Sequence, residues 1–383
     1  MDTEIPISLR NLDSNSSEVN IIVGENGQGK SQVLSELADG YWRSGKSVVA
    51  VATSVHDKFA YRKDERYSLL RARSRRSLPS KVIKDALQNI GSSKDVDLRR
   101  IYRALNYVGY DGVLGLGVSD FSPSMLYEAD ADIDNRLTEI VEDFERYYSR
   151  REINRENIVW VDVEGGWLES IKETELLNII PLEKELKKLK IIGGVDVFLR
   201  KNNKTIPLLK ASSGELSLIT LIIYLVTKID DETVIVIDEP ENSLHPQWQK
   251  AYAKILLDIF SFYRPKLVMA THSPIVVSGA EAASQPADNI SVFNVTSGRV
   301  IRSTEDDLSI EDMLLDMFGV ITPKSHSLSD RVVGLLNKLA DKKLSFDSFN
   351  FQLGALKESA YDQRQKEVID KVEGMAREMI DNV

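Results

Sequence analysis

The stretch Gly24-Glu25-Asn26-Gly27-Gln28-Gly29-Lys30-Ser31 constrains the fold of this chain more than any other. It has the form G-x-x-x-x-G-K-[ST]. Residues 19–23 before it are mostly apolar, and Val33, Leu34, Leu37, Ala38 and Tyr41 after it fall at helical spacing. A strand that turns into a helix through glycines points several backbone N–H groups at one anion, and the helix N-terminus adds positive potential. Lys30 is placed to neutralise the β- and γ-phosphates of a nucleotide, and the Ser31 hydroxyl to ligate Mg2+. Gly24, Asn26, Gly27, Gln28, Gly29, Lys30, Ser31 and Gln32 are the expected phosphate-binding residues. The alternative, a glycine-rich turn that binds nothing, is disfavoured by the order of strand and helix.

Such a loop belongs to an α/β fold. Residues 48–52 are continuously apolar, as in a strand covered on both faces of a mainly parallel sheet. Residues 5–12 also read as a strand, and 234–237 and 267–270 as two more. Residues 216–228 and 248–260 read as helices, and 195–209 and 290–302 as hairpins. Between them, 61–194 is polar and charge-rich and reads as a mainly helical insertion with one strand-like piece at 158–163. The core then comprises 1–60 and 195–304, followed by a helical region at 305–383. Its last helix aligns Val368, Ile369, Val372, Met375, Ala376, Met379 and Ile380 in a stripe expected to pack on the protein's own core.

Composition narrows the function. With 49 Lys or Arg against 59 Asp or Glu, the net charge of −10 argues against a uniformly basic nucleic-acid binder. The charge is uneven, however: residues 62–84 hold nine basic residues against Asp64 and Glu65, so nucleic acid could be contacted through Arg62 to Lys84. The absence of cysteine excludes disulfides, thiolate zinc sites and cysteine nucleophiles. No apolar run approaches the roughly 20 residues that span a bilayer. The first residues lack a basic segment followed by an apolar one, so a cytoplasmic location without membrane association is expected. Asp130, Asp132 and Asp134 begin like a calcium loop, but Asn135 and Val141 stand where glycine and glutamate are needed.

Residues 233–237 run into Asp238-Glu239. A buried strand delivers its last carboxylates to the sheet edge where ligands bind in open α/β folds. Asp238 is expected to hold Mg2+, directly or through water, and Glu239 to act as general base on the attacking water.

These segments resemble a known class. Asp238-Glu239-Pro240-Glu241-Asn242-Ser243-Leu244-His245-Pro246 resembles the Walker B and D-loop of ABC ATPases in the RecF, SMC and OLD branch. Ala270-Thr271-His272-Ser273-Pro274 is similar to their switch-histidine segment, and Ala211-Ser212-Ser213-Gly214-Glu215 to their signature motif. The motifs come in the family's order, over about residues 1–60 and 195–330. The resemblance implies a P-loop NTPase of the ABC ATPase head type that binds ATP and Mg2+ and hydrolyses ATP. It also implies a homo-oligomer in which two heads pack head-to-tail on ATP. Lys30, Glu239 and His272 would be catalytic, with Ser31 and Asp238 on the metal. Ser212, Ser213, Gly214 and Glu215 would reach the nucleotide of the other head. Ala211 and Ser213 depart from the usual leucine and glycine of the signature. No glutamine lies between Gln32 and Gln88 to supply the usual ligand after the second strand, which leaves Thr53, Ser54, His56 and Asp57 as candidates.

The chain looks like the stand-alone ATPase subunits of bacterial anti-phage defence systems of the Septu, PARIS and retron type. On that reading it switches a separate effector protein, a nuclease or toxin, because no Asp-x-Asp pair or HNH-like cluster follows His272. The alternative is a RecF/SMC-like DNA-binding ATPase of repair, touching DNA through Arg73, Arg75 and Arg76. A transporter's nucleotide-binding subunit is disfavoured by the continuation Glu241 to Pro246 and by the insertion.

Overall fold

The computed structural model describes residues 4–12, 17–54, 57–71, 77–90, 96–128, 135–151, 158–162, 175–231, 233–283, 289–296, 299–302, 326–341, 343–358, 366, 369–374 and 376–377. The strands are β1 (Glu18–Val23), β2 (Ser47–Ala52), β3 (Tyr67–Arg71), β4 (Val113–Ser119), β5 (Ile158–Asp162), β6 (Gly194–Lys201), β7 (Lys204–Pro207), β8 (Thr233–Asp238), β9 (Lys266–Ala270), β10 (Asn289–Thr296) and β11 (Arg299–Arg302). The helices are α1 (Ile7–Arg10), α2 (Lys30–Arg43), α3 (Leu78–Ile90), α4 (Val96–Val108), α5 (Met125–Glu128), α6 (Asn135–Arg151), α7 (Glu175–Lys188), α8 (Ser213–Val226), α9 (Pro246–Phe260), α10 (Pro274–Ala283), α11 (His326–Ala340) and α12 (Phe346–Glu358).

Seven strands form one sheet in the order β11-β10-β1-β9-β8-β2-β3. Every pairing in it is parallel except β10 with β11. All six residues of β8 are buried. Alternate side chains enter different cores. Ile235 and Ile237 join Ile21 and Val23 under α8 and α9, whereas Val234 and Val236 join Ile22 under α2. Burial on both faces is why these strands are apolar runs, and each such side chain contributes about 1.5–3 kcal/mol.

A second sheet, β5-β4-β6-β7, is antiparallel throughout. Its inward residues Leu114, Leu116, Val159, Val197 and Leu199 belong to the same core as α8. The described residues from 61 to 194 are mainly helical, with two strands, β3 and β4, besides the expected piece at 158–162. β3 extends the core sheet beyond residue 60, and β4 is the centre of the second sheet's β5-β4-β6 portion. Glycines explain why β4 escapes a propensity reading: a side chain at Gly115 would lie 2.8 Å from Ile158 and 3.0 Å from Phe198, so the gap is filled from neighbouring strands.

One local expectation changes. Within residues 5–12, 7–10 form α1 and not a strand; Leu9 is fully buried against α2, and the Tyr41 hydroxyl donates to its carbonyl. Among the described residues 4–12, Glu4 alone bridges to the sheet, at Arg299. α2 runs through Gly40 to Arg43, and the left-handed Gly45 follows it. In the C-terminal region, Ile369, Val372 and Ala376 pack with Val332, Leu335, Phe349 and Leu353. These three thus pack on the chain itself, in a cluster separate from the two cores of the main sheet, whereas Val368, Met375, Met379 and Ile380 lie outside the described residues. So do the acidic run at 130–134, His56, and Arg73, Arg75 and Arg76. No helix among the described residues is long and apolar enough to cross a membrane.

Candidate nucleotide-binding site

Four strand ends make the site. Ile22 pairs with Ala270, Ala270 with Asp238, and Asp238 with Ala52, so these residues form one row across the sheet. Strands lie about 4.8 Å apart, which brings the segments leaving this row within about 15 Å of one another. Those segments are the phosphate loop, Thr271-His272, Glu239 and Thr53. Motifs up to about 250 positions apart thus meet at one edge.

The phosphate loop has the backbone its glycines permit. Gly24 has φ 152°, and a side chain there would stand 2.7 Å from the Val295 carbonyl. Gly29, at φ 99°, is the left-handed residue that opens α2. Glu25, Asn26 and Gly27 arch into solvent. Lys30 is buried, and its Nζ donates to the carbonyls of Gly24 at 2.7 Å and Glu25 at 3.0 Å. Burial lowers its pKa, opposed by Glu239, Glu241, Asp238 and Glu25. Gln32 bonds Glu36 along the exposed side of α2, so its amide is occupied within the helix.

Asp238 is 1% exposed, and neither carboxylate oxygen makes a hydrogen bond of full geometry. Burial pushes its pKa up to about 6. The adjacent Ser31 hydroxyl and Lys30 oppose that shift, while Glu239 and Glu241 add to it. Two orphaned hard oxygens beside a hydroxyl fit Mg2+, which takes one or two carboxylates and completes its shell with water and phosphate. Among the described residues there is no cluster of three His, Cys, Asp or Glu for an all-protein metal cage.

Glu239 has φ 54°, a conformation that costs a non-glycine residue about 1–3 kcal/mol. The strained turn is held from both sides. Glu239 N donates to the Ala270 carbonyl at 2.9 Å, and Asn242 Nδ2 donates to Glu239 Oε2 at 2.7 Å. The Thr53 hydroxyl hydrogen-bonds the carbonyls of Asp238 and Glu239 at 3.0 and 2.6 Å, and receives Asn242 Nδ2 at 3.1 Å. Of the candidates for the missing glutamine, Thr53 therefore braces the acidic turn. Asp57 is bound bidentately by Arg71.

His272 stands at the end of β9, with 43% of its side chain exposed. Its Nδ1 lies 2.8 Å from Glu241, whose own side chain is 6% exposed. The hydrogen bond to Glu241 holds His272 above the ordinary imidazole range, with burial opposing. Glu241 and Asn242 were visible in the sequence only as letters of a motif. Their placement against His272 and Glu239 requires the turn after β8 to fold back over β9.

Ser212, Ser213, Gly214 and Glu215 open α8. Ser212 and Glu215 form a reciprocal capping box, with Ser212 N donating to Glu215 Oε2 at 2.8 Å. The Glu215 carboxylate also takes Lys201 at 3.3 Å, so it serves the turn. Hydrogen bonds from Ser212, Tyr110 and Lys201 hold its pKa low against burial. Ser212 and Ser213 are exposed. Gly214 packs on the D-loop: an added side chain would lie 2.6 Å from the Ser243 carbonyl and 3.2 Å from Trp248. Gly214→Val is expected to destabilise the fold by about 1–3 kcal/mol, the usual cost of overpacking, measured by urea denaturation. An unchanged midpoint would show that this contact is slack. The hydrogen bonds and packing described for residues 212–215 do not join them to their own phosphate loop.

In the basic stretch, Arg62 pairs with Asp39 and stacks on Trp42, Arg66 pairs with Asp64, Arg71 with Asp57, and Lys84 with Glu183. These four serve the fold itself, which leaves the nucleic-acid expectation to the exposed Lys63 and Lys81 and to Arg73, Arg75 and Arg76 outside the described residues.

Comparison with known proteins finds partial likenesses. A family model described as "AAA domain, putative AbiEii toxin, Type IV TA system" matches residues 129–278, a stretch that holds the signature, acidic and histidine segments but not the phosphate loop. The chain is 27% identical over 209 residues to Protein ea59 of Escherichia phage lambda, covering 49% of this chain and 38% of that protein. It thus spans well under half of the phage protein's length. Among solved structures it is similar to cbiO1 of Clostridium perfringens, part of an ABC transporter complex. There the identity is 13%, the TM-score 0.31, and 76% of this chain and 78% of that one are covered. It is also similar to an Smc head domain from Pyrococcus furiosus, bound to the C-terminal domain of ScpA. That likeness has 15% identity and a TM-score of 0.24, covering 61% of this chain and 58% of that one. A mainly parallel sheet with a phosphate loop after β1 and an acidic pair after β8 at the same edge defines a P-loop domain.

Proposed function

We propose that this chain is an ATPase whose site closes only when two copies meet on ATP. The observation that carries the reading is the placement of the signature. Ser212 and Ser213 lie exposed at the N-terminus of a 14-residue helix; Ser212 is bonded to Glu215 within that helix, and the adjacent Gly214 packs against Ser243 of the D-loop. Such a helix end binds anions, and a second copy supplies the anion to it.

Within one copy, Lys30 and the loop N–H groups hold the β- and γ-phosphates. Ser31 and Asp238 would hold Mg2+, which when bound screens the phosphate charge. Asn242 and the braced turn aim the Glu239 carboxylate at the attacking water, from which it takes the proton. His272 contacts the terminal phosphate. Loss of that phosphate removes the charge both copies grip, so the dimer loosens and ATP acts as a switch.

The output we assign to this switch is control of a separate effector, a nuclease or toxin, in bacterial anti-phage defence. The toxin-linked description of the matching family model supports it. DNA stimulation of the ATPase that disappears on neutralising Arg73, Arg75 and Arg76 would favour the repair reading instead.

Two measurements test the site. Lys30→Ala is expected to weaken ATP binding by at least about a hundredfold, as befits a buried charge against phosphate; unchanged affinity by calorimetry sinks the assignment. Light scattering of Glu239→Gln with ATP is expected to show a dimer that an added Ser213→Arg change abolishes. A monomer at saturating ATP would overturn the shared site.

A further inference from the structure

We propose that Glu241 is the positioning residue of His272: it fixes the imidazole with Nδ1 turned inward, so that Nε2 is the nitrogen offered to the terminal phosphate. The inference rests on the ATPase reading above and deepens it.

Glu241 is three residues beyond Asp238 and 7% exposed, and both its oxygens are committed to one segment. Oε1 accepts the His272 backbone N–H at 2.9 Å and lies 2.8 Å from Nδ1. Oε2 accepts the Thr271 hydroxyl at 2.7 Å. The Thr271 oxygen in turn receives Ser273 N at 3.0 Å, and Ser273 Oγ bonds Gln249 Oε1 at 2.8 Å. The carboxylate therefore pins the whole turn, not the ring alone.

The consequence is chemical. A carboxylate only accepts, so Nδ1 must carry the proton. In the neutral ring Nε2 is then a bare acceptor, which repels a phosphate oxygen; in the protonated ring it is a donor. Glu241 favours the second state by its charge. Hydrogen bonds from His272 and Thr271 keep Glu241 itself ionised against burial. The other charged groups acting on His272 are Glu239, which also favours the protonated ring, and Lys30, which opposes it. Glu241 thus makes an ordinary imidazole a charged donor for the phosphate without touching the nucleotide.

The test begins without turnover. Imidazole 15N shifts of His272, assigned by their loss in His272→Asn, are expected to show the Nδ1–H tautomer at high pH. Protonation should fall about one pH unit lower in Glu241→Gln, which keeps the shape and removes the charge. An Nε2–H tautomer in the wild-type protein overturns the proposal whether or not any variant folds. In steady-state kinetics, Glu241→Gln should move the alkaline limb of kcat to lower pH. It should cost about tenfold in kcat at pH 8 with KM nearly constant, and Glu241→Asp should recover part of the loss. A residue that merely supports the fold would lower stability and leave the pH profile in place, and that result sinks the proposal. If the NMR behaviour is as expected and the wild-type protein hydrolyses no ATP, the ATPase reading fails while the pairing stands.

Discussion

Glu239→Gln is expected to lower ATP hydrolysis by at least about a hundredfold while ATP stays bound, the loss typical of removing a general base. The substitution is nearly isosteric. Asn242 Nδ2, 2.7 Å from the carboxylate, can still donate to the amide oxygen, and the strained φ of 54° is unaffected because Thr53 braces the turn through main-chain carbonyls. Lys30, Ser31 and Asp238 are untouched, so nucleotide binding should persist. Only the capacity to take a proton disappears. Phosphate release and retained ATP, measured on the same sample, check both halves; hydrolysis at the wild-type rate removes Glu239 from the mechanism.

The second large effect is opposite in sign for stability and activity. Asp238→Asn is expected to abolish Mg2+-dependent hydrolysis yet to stabilise the nucleotide-free protein. The folded pKa of Asp238 is pushed up to about 6 from 3.8, chiefly by burial, with no hydrogen bond of full geometry to either oxygen. The folded state therefore holds the proton more tightly than the unfolded one. Stability falls as pH rises from about 4 to 6, and above 6 the full cost of an orphaned buried charge is present. That cost is about 3 kcal/mol at 1.36 kcal/mol per pH unit, and the amide's own unmade hydrogen bonds will return part of it. Urea unfolding of both proteins without Mg2+ at pH 4 and pH 7.5 measures the difference. The gap should be wide at pH 7.5 and nearly closed at pH 4. Equal stability at pH 7.5 would show that the carboxylate is not strained by burial, and would remove the physical reason for placing a cation there.

What was legible in the sequence was local chemistry. Gly24 to Ser31 needs no partner to declare itself, because left-handed glycines, a lysine and a hydroxyl in that spacing suit phosphate wherever the loop lies. The apolar runs of β2, β8 and β9 were equally plain, since burial on both faces leaves no polar position to obscure them. β3 and β4 were not. β3 is a short edge strand inside a basic stretch, and Gly115 of β4 makes room for Ile158 and Phe198 from other strands. Leu9 looked like part of a strand because Ile5, Ile7 and Leu9 alternate around Pro6, and that spacing does not say which element will cover them.

The phosphate loop by itself determined a strand, a helix and, between them, a turn whose N–H groups suit an anion. Tertiary structure alone decided what surrounds that turn. The sheet order sets β9 between β1 and β8 and so brings His272 and Glu239 to the loop's edge. The turn after Asp238 folds Glu241 under His272 and Asn242 onto Glu239, while Thr53 takes up the carbonyls of that turn. The physical reason is range: backbone conformation is set by a residue and its neighbours, whereas a carboxylate's hydrogen bonds and pKa are set by whatever the fold packs within a few ångströms of it.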